Sequence, residues 1–219
     1  MIKAVIFDMD GLMFDSERLT YQCNVEVLKE KNLTMSEDFY KTLLGKTIIM
    51  ATQLMHEEYG EDFPVKDHIQ KVHQLLHKKM HEDGVPKKEG LVELLKYLKE
   101  NDYLTIVATS SDRHRVDDIL NVADVAQYYH DSICGNEVTK GKPDPEIFLK
   151  ACQKLGVEPH EALVLEDSEA GIQAAYNASI PVICIPDMKY PEEKIENLTE
   201  RIFQSLYEVI DYLEEKNND

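Results

Sequence analysis

The chain has 219 residues, 43% of them apolar, with 24 basic and 42 acidic side chains and a formal net charge of −18. That apolar content supports a packed core and excludes a disordered chain, and the length allows one large domain or one domain carrying a smaller insert. So acidic a chain is a poor partner for nucleic acid or an anionic membrane, and no apolar stretch approaches the roughly 18 residues a membrane span needs.

Residues 2–7 (IKAVIF) form a short, nearly all-apolar run that reads as a strand buried on both faces, as in a parallel sheet. The run opens the chain without the long apolar stretch and cleavage site of a secretory signal. From Ser16 to Asp83 the pattern changes. Residues 17–31, 36–44, 47–59 and 65–82 read as helices, punctuated by Gly45, the segment 60–64 and Gly84-Val85-Pro86, with no convincing strand among them. Beyond them, residues 89–100 place Leu91, Leu94, Leu95 and Leu98 on one helical face. Strand-like runs then recur at 104–109, 162–166 and 181–185, with a shorter one near 132–134, separated by helical patterns at 112–120, 145–155 and 169–177. A final helix over 205–216 carries Leu206, Val209, Ile210 and Leu213 at helical spacing. The alternation predicts an α/β fold with a doubly wound parallel sheet. Residues 1–15 and 84–219 are expected to form this Rossmann-like core, and residues 16–83 an inserted α-helical cap. Cys23, Cys134, Cys152 and Cys184 are far apart and form no CxxC pair, so free thiols in a reducing, cytoplasmic compartment are expected.

Ligands of open parallel sheets sit at the carboxyl ends of the strands. The first strand is followed by Asp8-Met9-Asp10-Gly11, the second by Ser110 and Ser111, the short one by a loop ending Lys140-Gly141-Lys142-Pro143, and the next by Glu166 and Asp167. Taken singly, each is unremarkable: Asp-x-Asp-Gly is usually a turn, Lys142 a solvated lysine, and Glu166-Asp167-Ser168 a helix start. A calcium loop is excluded, because its glycine would stand at position 4 rather than 6 and Leu19 would occupy position 12. A phosphate-binding P-loop at 135–142 is excluded too, since five residues separate the glycines and Pro143 stands where Ser or Thr is required. Together at one rim, these groups point to phosphoryl transfer. Carboxylates so close repel unless a cation neutralises them, and an oxygen-only donor set without His or Cys favours Mg²⁺, with Asp8 and Asp167 suited to hold it. Asp8 can attack phosphorus to give an acyl phosphate. Asp10 can donate a proton to the leaving alcohol and later accept one. Ser110 at a helix start and Lys142 can take the charge of the transferring group.

These residues resemble the haloacid dehalogenase-like hydrolase superfamily, in the branch with a helical cap inserted after the first strand. The motifs are Asp8-Met9-Asp10-Gly11-Leu12, Thr109-Ser110-Ser111, Gly141-Lys142-Pro143-Asp144-Pro145 and Leu165-Glu166-Asp167-Ser168-Glu169-Ala170-Gly171-Ile172. The resemblance implies phosphorylation of Asp8 and acid/base work by Asp10. It also implies Mg²⁺ held by Asp8, the Asp10 carbonyl and Asp167, with Glu166 as a further ligand or water-holder. Residues expected to touch the substrate are Ser111, Arg113, His114 and, in the cap, Thr20, Gly45 and Lys46. Family members that are sugar-phosphate phosphatases or β-phosphoglucomutases often carry a His near position 20, where Thr20 stands. The mutases carry an Arg where Ile48 stands. The expected function is therefore hydrolysis of a small phosphate monoester by a monomer, with a β-phosphoglucomutase-type isomerase as the alternative and a non-catalytic binding protein as a third reading. His73, His77 and His81, at i, i+4, i+8, have a spacing that could bind metal but read as a solvated helix face.

Overall fold

The computed structural model describes residues 1–218. In chain order the elements are β1 (Ala4–Phe7), α1 (Ser16–Lys29), α2 (Glu37–Leu43), α3 (Ile48–Tyr59), α4 (Val65–Asp83), α5 (Leu91–Glu100), β2 (Leu104–Ala108), α6 (Arg113–Val122), β3 (Asp131–Ile133), α7 (Glu146–Leu155), β4 (Ala162–Glu166), α8 (Glu169–Asn177), β5 (Val182–Cys184), α9 (Glu193–Glu196), β6 (Arg201–Ile202) and α10 (Tyr207–Asn218). They group into two compact units, one of Met1–Asp15 with Val85–Asp219, the other of Ser16–Gly84.

The first unit is built on a six-stranded sheet in the order β3-β2-β1-β4-β5-β6. Every pairing is parallel. This is a doubly wound α/β fold, as the recurring apolar runs imply. Each strand must be apolar on both faces because helices cover both. On one face Ala4, Ile6, Ile106, Ala108, Val164 and Val182 join Ile147, Phe148 and Ala151 of α7 and Ile172 and Ala175 of α8 in one buried cluster. Successive strand side chains alternate, so Val5, Phe7, Val107 and Leu165 belong to the opposite face; all are fully buried. Beside them α5 turns inward Leu91, Leu94, Leu95 and Leu98 and packs against β2 and α10. Two elements were not anticipated: the four-residue α9 and the two-residue strand β6, too short to show a period.

Strand order also locates the functional edge. Chain progression runs outward one way through β1, β2 and β3, and the other way through β4, β5 and β6. The reversal falls between β1 and β4, where Phe7 registers with both Val107 and Leu165. Residues just past Phe7, Ala108 and Leu165 therefore emerge side by side at the switch point, where open parallel sheets bind ligands.

The second unit consists of α1 to α4. Ser36 and Thr47 cap α2 and α3 by accepting from the Phe39 and Met50 amides, as Ser and Thr commonly do. Helices α1 and α4 pack together through buried Cys23, Val27, Leu28, Val72, Leu76 and Met80. His68 on α4 is 1% exposed, and its Nε2 lies 2.8 Å from Asn24 Oδ1 on α1. His73, His77 and His81 occupy the exposed face of α4. All four cysteines are buried, free thiols. Among the described residues no helix is long and apolar enough to cross a membrane.

Candidate active site

Asp8 leaves β1 at the centre of the sheet, with its amide still bonded to the Leu165 carbonyl at 3.0 Å. Its side chain is nearly buried. Oδ1 accepts from Lys142 Nζ at 2.5 Å, and the same ammonium donates to Glu166 Oε1 at 2.6 Å and to the Ala108 carbonyl at 3.1 Å. The three N–H groups of Lys142 thus face three acceptors, from the ends of β1, β4 and β2. Its ammonium also lies 5.0 Å from the Phe148 ring centroid. Burial alone would depress the Lys142 ammonium, but Asp8 and Glu166 together hold it well above its ordinary value.

Glu166 and Asp167 are consecutive and point to different places, as residues leaving a strand do. Glu166 is fully buried. Its Oε2 accepts from the Asp167 amide, the Ser168 amide and the Ser168 hydroxyl at 3.0, 2.9 and 2.9 Å, while Oε1 takes Lys142. Both oxygens are committed to protein donors. Asp167 offers a carboxylate oxygen close to Asp8 and Glu166, the ligand atoms of all three lying within 4.8 Å of one another. Gly11, at φ +86°, passes so close that a Cβ there would overlap the Asp167 carboxylate. This position needs glycine for both conformation and space.

Two carboxyl groups at this edge are electrostatically uncomfortable. Burial, above all, raises Asp8 to about 7, with Glu166 and Asp10 adding to it and Lys142 opposing. Burial also lifts Asp167 well above the ordinary carboxylate range, reinforced by Glu166, Asp8 and Asp187. Paired carboxyls displaced in this way are what a hard cation would relieve.

Asp10 lies in the tight loop after β1, where the Gly11 amide donates to Phe14 O and the Met13 amide to Met9 O. Its Oδ2 accepts from Ser111 Oγ at 2.8 Å and its Oδ1 from Arg115 Nη2 at 2.6 Å. Ser111 therefore holds Asp10 in this structure. Ser110, the other expected hydroxyl, is exposed just past β2, and its backbone passes close against Gly135.

Arg113 is held by neighbouring elements. Its guanidinium donates to Ser132 Oγ, the Ser132 carbonyl, Glu137 Oε2 and Asp117 Oδ1. It staples α6 to β3 through those acceptors. His114 is exposed. Thr20, Gly45 and Lys46 belong to the helical unit: Thr20 Oγ1 donates to the Ser16 carbonyl at 2.7 Å, and Gly45 and Lys46 form the exposed turn before α3. Two residues were missed. Arg115 carried no signal beyond its charge. Asp187, just past β5, receives Lys88 Nζ at 2.5 Å and was discoverable only as one more strand-end carboxylate.

An open parallel sheet whose central strand delivers a buried aspartate to the switch point, flanked by a lysine and further carboxylates from neighbouring strand ends, defines a Rossmann-like α/β protein with an acidic strand-end site. The chain belongs to the haloacid dehalogenase-like hydrolase family, whose model matches residues 5–185. It is 29% identical over 182 residues to a phosphorylated carbohydrates phosphatase of Thermotoga maritima, covering 82% of each chain. It is 30% identical over 207 residues to a probable pseudouridine-5'-phosphatase of Drosophila melanogaster, covering 91% of this chain and 88% of that one. In fold it resembles a family hydrolase of Deinococcus radiodurans with a TM-score of 0.85 and 24% identity, over 99% of this chain and 96% of that one.

Proposed function

We propose that the protein is a Mg²⁺-dependent phosphatase acting on a small phosphate monoester, a sugar or polyol phosphate, with its α/β unit as the catalytic core and its helical unit as the cap. One observation carries the reading: a nearly buried Asp8 at the switch point, 2.5 Å from Lys142 and grouped with the Asp167 carboxylate. Relatives named as phosphatases of phosphorylated carbohydrates and of pseudouridine 5'-phosphate support it. The four buried free thiols fit a reducing cytoplasm.

The oxygen-only donor set fits a hard divalent cation, and Gly11 leaves the room that the Asp167 carboxylate needs. Asp8, Asp167 and the Asp10 carbonyl would hold the ion. When bound, Mg²⁺ supplies positive charge that offsets the clustered carboxylates and the incoming phosphate. Glu166, with its oxygens already taken, is assigned the role of fixing Lys142.

In the first step an Asp8 carboxylate oxygen attacks phosphorus, the bond from phosphorus to the leaving oxygen breaks, and Asp10 gives that oxygen a proton. In the second, Asp10 takes a proton from water as the water oxygen attacks the Asp8 acyl phosphate. Inorganic phosphate leaves and Asp8 is regenerated. Ser110 and Lys142 bear on the phosphoryl oxygens, Lys142 sharing N–H groups that here face Asp8 and Glu166. Ile48 stands where the mutases carry an Arg, which favours water over a second sugar hydroxyl as acceptor.

The test is phosphate release from a panel of sugar, polyol and nucleoside monophosphates with Mg²⁺, run beside a β-glucose 1-phosphate isomerisation assay. Release from at least one ester, abolished in Asp8→Asn, is expected. Silence across the panel overturns the reading, and isomerisation without net release replaces it with the mutase.

A further inference from the structure

Asp10 is held from two sides, and both donors come from the segment after β2. Ser111 reaches one carboxylate oxygen at 2.8 Å and Arg115 the other at 2.6 Å. Arg115 stands in the first turn of α6, where its amide is fixed in turn by the side chain of the N-cap residue Asp112 at 3.0 Å. An aspartate on a loop would otherwise distribute among rotamers, at an entropic cost each time one is selected. A charge-assisted bond to a guanidinium, backed by a hydroxyl on the second oxygen, removes that freedom in advance. Arg113 cannot deputise. It is two residues away, about 200° around the helix, and is engaged with Ser132 and Glu137.

We propose that Arg115 is a positioning residue for proton transfer: it grips the Asp10 carboxyl through Oδ1, so that the proton for the leaving oxygen is carried on Oδ2, where the Ser111 hydroxyl turns its hydrogen away when that oxygen is protonated. The inference rests on the assignment of Asp10 as proton donor made above. It has a consequence specific to the leaving group. A sugar or polyol departs as an alkoxide and needs the proton as its bond breaks, whereas nitrophenolate is stable enough to leave without one. Loss of Arg115 therefore penalises the first kind of ester selectively.

The experiment compares kcat/KM, which reports transfer of the phosphoryl group to the enzyme, for wild type, Arg115→Ala and Arg115→Lys with Mg²⁺. The substrates are the best sugar or polyol phosphate of the panel and p-nitrophenyl phosphate. Arg115→Ala is expected to lose roughly 10²-fold on the sugar or polyol ester, the lower end of what general acid catalysis contributes. Its loss on p-nitrophenyl phosphate should be at least about tenfold smaller, and Arg115→Lys should recover part of the difference. Equal losses on both esters, or none on the first, overturn the proposal. A second readout does not depend on turnover: the Arg115 guanidinium N–H resonances should exchange slowly in wild type and measurably faster in Asp10→Ala. Fast exchange in wild type, or an exchange rate identical in the two proteins, also overturns it. An enzyme silent on every ester but with the protected guanidinium refutes the phosphatase reading and leaves the Arg115 hold on Asp10 standing.

Discussion

Replacing His68 by Gln isolates one titration from the many carboxylates of this acidic chain. Burial, chiefly, together with the charges of Lys31 and Lys71, lowers the His68 pKa from 6.5 to about 4. The folded helical unit therefore keeps the ring neutral, its Nε2–H donating to Asn24 Oδ1, while Nδ1 is buried without a hydrogen-bond partner among the described residues. Between pH 6.5 and 4 the unfolded chain binds a proton that the folded one refuses, so stability falls as pH falls through this window. Linkage with these two values gives a loss of about 1 kcal/mol at pH 6, about 2 at pH 5 and about 3 at pH 4, relative to neutral pH. Gln keeps an N–H donor for Asn24 and removes the titration. The assay is urea unfolding of both proteins from pH 7.5 to 4. The carboxylates they share cancel in the difference, which should move in favour of the Gln variant by about 2 kcal/mol at pH 5. A stability difference that stays flat across that range would show that His68 titrates normally and is not held neutral by its surroundings.

Asp8→Asn should abolish phosphate release, measured with the best ester of the panel; substantial residual turnover would refute the covalent mechanism. Lys142→Met strands the Asp8 and Glu166 carboxylates and should cost roughly 3–5 kcal/mol of unfolding free energy, measured in chelator so that no cation compensates; an unchanged urea midpoint would contradict the buried network. In Gly171→Ala the new Cβ would overlap the Glu166 carboxylate, which is fixed by its own donors. A destabilisation of about 1–3 kcal/mol is expected, and a neutral result on chemical denaturation would mean Glu166 is looser than its hydrogen bonds imply. Chelation should remove activity and Mg²⁺ should restore it; full activity in excess chelator would rule out the proposed metal dependence.

Much of the α/β unit was legible in the chain because two physical signals are local. A strand covered on both faces must be apolar throughout, so residues 2–7 and 162–166 announce themselves. A helix covered on one face shows a 3.6-residue period, so the Leu91, Leu94, Leu95 and Leu98 stripe does too. The strand-end groups followed from a general rule of parallel sheets. The boundaries were less legible: β1 begins at Ala4 and β5 ends at Cys184, because pairing with neighbours, rather than apolar character, sets where a strand starts and stops. Strand β6 has two residues and exists only because β5 offers an edge.

Direction was the information the sequence lacked. Arg113 and Arg115 are alike in charge and two positions apart, yet one staples α6 to Ser132 and Glu137 and the other holds Asp10. Glu166 and Asp167 are adjacent acids, yet one is sealed under Lys142 and the other lies beside Gly11. By itself the sequence determined which residue types arrive at the rim, since strand order and motif spacing are properties of the chain. Which of them face one another was decided only by the tertiary structure, because helix phase and the alternation of side chains at a strand end turn chemically equivalent neighbours toward opposite surroundings.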